Sequence, residues 1–181
     1  MNNSAMIEQE IELAWLVKKL PDLLKYKKSR IVQAYIDSDD STVKDIRIRE
    51  KDGVYTKTIK RFAISETETG FCTEENQQLT EQEFRTLLKR TRKKVEKDRY
   101  NIPIKNKLVA ELDVYRGRLK GLVVVEVEFP DVERALSFKK PSWFGKEVTD
   151  SQGIYPPAIA GMRFAEVEKI NNQHIQAPHV L

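Results

Sequence analysis

Apolar and polar residues alternate with a period of two along much of this chain, and the alternation predicts strands. Ile7 to Val17 reads as the first, with Ile11, Leu13, Trp15 and Val17 on one face. Further strands are predicted over Val32–Ile36, Val43–Glu50, Tyr55–Phe62, Ile64–Cys72, Lys107–Tyr115 and Leu122–Phe129. Lys51-Asp52-Gly53 supplies a hairpin turn, because Asp-Gly accepts positive φ. Period-3.6 segments lie between the strands. Pro21 to Ser29 predicts a short helix, with the proline in its first turn. Thr80 and Glu83 have capping-box spacing ahead of a helix reaching Val95, whose buried stripe is Phe84, Leu87, Leu88 and Val95. A helix is expected over Asp131–Lys139 and another after Pro157. Antiparallel strands with helices inserted between them make an α+β fold, and seven or eight strands are enough to close a barrel.

The polar positions of these strands carry an unusual load. Glu8, Glu10 and Glu12 share one face of the first strand, as do Glu66 and Glu68, Glu111 and Asp113, and Glu126 and Glu128 in theirs. Basic residues obey the same spacing: Arg47 with Arg49, Lys60 in line with Thr56 and Thr58, and Lys97 with Arg99 if that segment is extended. A sheet with one wet face explains alternation alone. It does not explain repeated acidic pairs, since Asp and Glu are depleted in strands and adjacent carboxylates repel. A hard divalent cation relieves that repulsion and prefers oxygen ligands, while guanidinium groups match phosphate oxygens. Acidic pairs for metal and basic pairs for a polyphosphate form one coherent chemistry.

The ordered series of these motifs resembles the CYTH family, the triphosphate tunnel metalloenzymes. Glu10-Ile11-Glu12-Leu13-Ala14 is similar to the family's opening E-x-E-x-K strand, with Ala14 in place of its lysine. Arg47-Ile48-Arg49, Thr58-Ile59-Lys60 and Lys97-Asp98-Arg99-Tyr100 follow. Then come Glu111-Leu112-Asp113-Val114-Tyr115-Arg116-Gly117, Gly121-Leu122, Glu126-Val127-Glu128 and Glu147-Val148-Thr149. The resemblance covers residues 7–160 and implies a closed eight-stranded antiparallel β-barrel, a tunnel with helices packed outside. It implies a single tunnel domain over 1–181, with 171–181 as a tail. By position, Glu10, Glu12, Glu126 and Glu128 would face Mg²⁺ or Mn²⁺. Arg47, Arg49, Lys60, Lys97 and Arg99 would grip phosphate. Glu10, Glu12, Lys60 and Arg99 would be catalytic, with Glu8, Glu66, Glu68, Glu111 and Asp113 as further tunnel residues.

The implied activity is metal-dependent hydrolysis of inorganic triphosphate or of a nucleoside or thiamine triphosphate. A tunnel that binds without turnover is the alternative suggested by Ala14, and a class IV adenylate cyclase is the third reading. Ile64 stands where an arginine is expected before the Glu66/Glu68 pair.

The remaining features add limits. A chain of 181 residues with 40% hydrophobic and 33% charged residues can bury a core as one domain. A net charge of +4 does not by itself mark a nucleic-acid binder, and no specific nucleic-acid partner is expected. No apolar run is long enough to span a bilayer, and Met1–Gln9 lacks a secretory pattern, so a cytoplasmic protein without a membrane partner is expected. The single cysteine, Cys72, reads as an ordinary thiol, and His174 and His179 lie in the tail without companion ligands. Trp15 and Trp143 read as packing residues, and Pro141–Gly145 as a loop. Lys89–Lys94 reads as the solvated side of a helix. Monomer and homodimer are both open.

Overall fold

The computed structural model describes residues 11–62, 72–149 and 156–162, with 166, 169 and 170. The architecture is mostly antiparallel sheet with a few helices. The chain divides into two compact units: among the described residues, Val32–Lys94 form one, and Ile11–Ile31 with the residues from Val95 onward form the other.

The first unit contains most of β2 (Lys28–Ile36), with β3 (Val43–Lys51), β4 (Val54–Phe62), β5 (Cys72–Gln78) and helix α1 (Glu81–Lys89). Asp52 and Gly53 join β3 to β4 at φ 52° and 84°, the positive pair that lets a two-residue turn follow the strand twist. Ala34, Ile48, Leu79 and Phe84 form the core of this unit, and the Tyr55 ring lies against Phe84 at 5.2 Å. At the start of α1, the Thr80 hydroxyl accepts from the Glu83 N–H at 3.3 Å, and the Glu83 carboxylate accepts from the Thr80 N–H at 2.7 Å. Both otherwise orphaned donors are thereby satisfied. The Thr80 hydroxyl and N–H also hold the Glu83 carboxyl below its ordinary value. Thr80→Ala is expected to lower stability by about 1 kcal/mol, measured by urea unfolding, with no change in the m-value.

The second unit is built on β6 (Lys94–Pro103), β7 (Val109–Tyr115), β8 (Val123–Phe129), β1 (Ile11–Val17) and β9 (Phe144–Glu147), adjacent in that order. The β6–β7, β7–β8, β8–β1 and β1–β9 pairs are antiparallel. Trp15, Val17, Val123, Val125, Val127 and Phe129 face a common core. Phe138, just past helix α2 (Val132–Leu136), stands 5.6 Å from Trp15 and 5.1 Å from Phe129. Trp143 meets Phe144 edge-on at 4.4 Å. Both tryptophans are packing residues, as the sequence suggests. Helix α3 (Pro156–Gly161) buries Ile159 and Ala160, and Arg118 donates to the carbonyls of Ala160 and Met162 at its end.

Several local expectations need correction. The helix expected over Pro21–Ser29 is only a single 3-10 turn at Leu23–Lys25, capped by Asp22, and β2 begins at Lys28. Helix α1 stops at Lys89, and Val95 is buried in β6 instead of on the helix. The basic run after Lys89 therefore forms the turn and the start of β6, not the polar side of α1. The structure adds β5, whose Thr-Glu-Glu-Asn-Gln-Gln sequence has no apolar alternation to reveal it. It also adds β9, which begins at Phe144 within the expected Pro141–Gly145 loop and runs on to Glu147. A Cβ on Gly145 would stand 2.7 Å from the Leu16 carbonyl oxygen, so β9 can lie against β1 only with glycine there. Nine strands result among the described residues, where seven or eight were expected. Most of the Ile64–Cys72 strand lies outside the described residues. No helix among the described residues is long and apolar enough to cross a membrane.

Candidate functional site

Strand register decides which polar side chains meet. In the second unit, Arg99 lies opposite Asp113, and Asn101 opposite Glu111. Glu111 lies opposite Glu126, Ala14 opposite Glu126, and Glu12 opposite Glu128. Side chains two apart share a face, so one polar surface runs from Lys97 and Asp113 at its buried end to Glu12 and Glu128 at its exposed end. The opposite face supplies the core. This is the face assignment that the alternation predicts, and β6 is extended, so Lys97 and Arg99 do share a side.

At the buried end, Asp113 has no solvent exposure. Arg99 clamps it through two hydrogen bonds, Nε to Oδ1 at 2.7 Å and Nη2 to Oδ2 at 2.6 Å. Lys97 Nζ donates to the same Oδ2 and sits 5.6 Å from the centre of the Tyr115 ring. Burial pushes the Asp113 carboxyl up, but Lys97 and Arg99 outweigh it and hold it below the ordinary aspartate value. Burial likewise works against the Arg99 charge, and Asp113, Glu126 and Glu111 overcome it, raising the guanidinium well above its usual value. Arg99 also donates to Glu126 at 2.7 Å and to Glu111.

Toward the exposed end, Glu12, Glu111, Glu126 and Glu128 line a cavity of about 360 Å³, together with Lys107. Two of its carboxylate pairs, Glu12/Glu128 and Glu111/Glu126, face each other directly across neighbouring strands. Like charges in that position destabilise a sheet. Hard oxygen donors around a polar cavity suit Mg²⁺ or Mn²⁺, so the residues present fit such an ion. Among the described residues no three acidic, imidazole or thiol groups form a direct chelate. Mg²⁺ commonly keeps several waters and needs only one or two carboxylates, so this spacing is compatible with it. Glu10, Glu8, Glu66 and Glu68 lie outside the described residues.

The first unit carries a different chemistry. One face of β3–β4–β5 presents three rungs: Asp45–Lys60–Glu74, Arg47–Thr58–Asn76 and Arg49–Thr56–Gln78. Lys60 Nζ lies 2.5 Å from Glu74, and Thr58 donates to Asn76 at 2.7 Å. Arg47 Nε is buried and has no hydrogen-bond partner among the described residues. A buried N–H left unpaired costs about 1–3 kcal/mol, which a bound anion would recover. Arg47, Arg49 and Lys60 thus share the face expected of them.

Sequence reasoning missed Lys107 as a cavity residue, because it assigned it to the start of a strand. It instead ends a turn in which Asn106 and Lys107 both have positive φ, 62° and 60°. It also missed Glu74, the partner of Lys60, along with the rest of β5.

The chain is 32% identical over 153 residues to an inorganic triphosphatase of Nitrosomonas europaea, a match spanning 83% of this chain and 96% of that protein. The chain belongs to the CYTH, or triphosphate tunnel metalloenzyme, family. A 55-residue segment is 46% identical to an inorganic triphosphatase of Acetivibrio thermocellus, covering 30% of this chain and 33% of that one. The crystal structure of an inorganic triphosphatase superposes with TM-score 0.65 at 31% identity, over 84% of this chain and 95% of the other. A Hippeastrum protein with a dominant triphosphatase activity shares the fold at TM-score 0.50 and 17% identity, over 71% of this CYTH chain and 83% of its own. No protein-family model matches the chain.

Proposed function

We propose that this CYTH protein is a metal-dependent hydrolase of inorganic triphosphate. The observation that carries the reading is the pair of facing carboxylate rungs around one cavity, Glu12/Glu128 and Glu111/Glu126. Arg99 already bonds Glu111 and Glu126, and the four carboxylates around one cavity make an oxygen-donor set suited to a divalent cation. Kinship to the Nitrosomonas triphosphatase over 96% of that protein supports the reaction and its phosphoric anhydride bond.

Glu12, Glu126 and Glu128, with Glu10, are assigned to a divalent cation, Mg²⁺ or Mn²⁺. When bound, that ion neutralises phosphate charge and favours attack by water. Arg47, Arg49 and Lys60 bind phosphate oxygens, and the Arg47 Nε–H, without a partner among the described residues, is the group most ready to donate to one. In the second unit, Lys97 is also assigned to phosphate. Glu10 and Glu12 orient the attacking water, while Lys60 and Arg99 stabilise charge on the departing phosphate. The family's closed eight-stranded tunnel, as one domain, is the frame in which these assignments are made.

Phosphate release from inorganic tripolyphosphate, with ATP and thiamine triphosphate in parallel under Mg²⁺ and Mn²⁺, tests the reading. Metal-dependent turnover, strongest with tripolyphosphate, is expected. Tight binding without turnover would favour a binding protein, and the absence of both turnover and binding would overturn the site assignment. Arg47→Ala should raise KM for tripolyphosphate about 10–100-fold, the worth of a charge-assisted hydrogen bond, with a smaller change in kcat.

A further inference from the structure

Arg99 is assigned to phosphate, yet its donors are already occupied. A guanidinium has five N–H groups. Four are engaged: Nε and one Nη2 hydrogen with Asp113, the other Nη2 hydrogen with Glu126, and one Nη1 hydrogen with Glu111. The side chain is only 12% exposed. The three acceptors are not equivalent. Asp113 is wholly buried and also holds Lys97, whereas Glu111 and Glu126 line the cavity. Lys97 and Arg99 bring two positive charges against three negative ones on Glu111, Asp113 and Glu126. Glu12 and Glu128 add two further carboxylates at the cavity, and Lys107 one ammonium. Arg99 thus serves Glu126, assigned above to the divalent ion, and Glu111, which lines the same cavity.

We propose that Arg99 is a metal-coupled switch for triphosphate binding. Without a divalent cation, its Nη1 and outer Nη2 hydrogens are held by Glu111 and Glu126, whose charges also repel an incoming phosphate. When those carboxylates turn to a cation, the two hydrogens become available to a phosphate oxygen. The Asp113 bonds persist in both states and keep the guanidinium aimed. Metal binding therefore precedes triphosphate binding. This rests on the triphosphatase reading and adds to it the order of loading and the device that sets it.

Glu111→Gln and Glu128→Gln remove the same charge from the same cavity, but only Glu111 is an acceptor for Arg99. Calorimetric titration with inorganic tripolyphosphate in the absence of metal should show Glu111→Gln binding at least about tenfold tighter than Glu128→Gln, a difference of about 1.4 kcal/mol. Equal affinities would mean that general charge, not the Arg99 contact, controls binding, and would overturn the proposal. In the wild-type protein, Mg²⁺ alone should shift the ¹⁵N signals of Arg99 Nη1 and Nη2 while the Nε signal stays. Unmoved Nη signals at saturating Mg²⁺ would overturn it as well. Both effects together with a wild-type protein that hydrolyses no tripolyphosphate would refute the enzyme and leave the switch standing.

Discussion

Asp113→Asn should lower stability at pH 7 by about 3–5 kcal/mol, although the substitution changes almost no volume. The carboxylate is fully buried, and Lys97, whose side chain is 5% exposed, has it as its only ion partner among the described residues. Asparagine leaves that ammonium buried against a neutral amide and breaks the two-point clamp on Arg99. Urea unfolding measures the effect. Its pH dependence identifies the cause: Lys97 and Arg99 hold the folded-state carboxyl below its unfolded value. The stabilisation is therefore complete above about pH 4 and is lost as pH falls through the folded-state value. The gap between wild type and variant should narrow in acid. A gap of constant size down to pH 2 would assign the loss to packing alone.

That buried triad also shows what the sequence can and cannot reveal. Period-two alternation placed Glu111 and Asp113 together, and likewise Lys97 and Arg99, because strand geometry permits no other assignment once the strand is recognised. Alternation along one strand carries nothing about its neighbour. Only the register shows that Arg99 lies opposite Asp113, so a residue read as a phosphate ligand is first of all a carboxylate clamp. The same limit explains Asp113, grouped with tunnel residues from spacing but committed to Lys97 and Arg99. β5 was illegible for a different reason. Its residues from Glu74 to Gln78 are polar, and its pairing with β4 is made by backbone and by rungs such as Thr58–Asn76, which leave no hydrophobic signature. Val95 was drawn into α1 because its spacing from Leu88 suits a helix equally well. The basic run between them then breaks into a turn, and the residue is buried from β6.

The register also gives the missing family lysine a physical context. Ala14 lies directly opposite Glu126, and that carboxylate is already met by Arg99 Nη2 at 2.7 Å. A cation therefore reaches Glu126 from β6 instead of from β1. The absence of a lysine at 14 does not leave this carboxylate without a positive partner, which favours the enzyme over the inert binder.

Glu128→Gln should separate function from stability most sharply. It lies opposite Glu12 at the exposed end of the polar face, where two like charges oppose each other across strands. Glu128 is exposed, so replacing it should change stability by no more than about 0.5 kcal/mol. If Glu128 is a metal ligand, the same change should raise the Mg²⁺ concentration for half-maximal tripolyphosphate turnover by about 10–100-fold or more, since even residues that merely support a ligand carry that much. Urea unfolding and a Mg²⁺ titration of phosphate release measure the two quantities on one preparation. A fall in stability with unchanged metal dependence would make Glu128 a structural residue. A preserved fold with weakened metal dependence would assign Glu128 to the cation, because an exposed carboxylate used only in the sheet would leave the Mg²⁺ requirement unchanged.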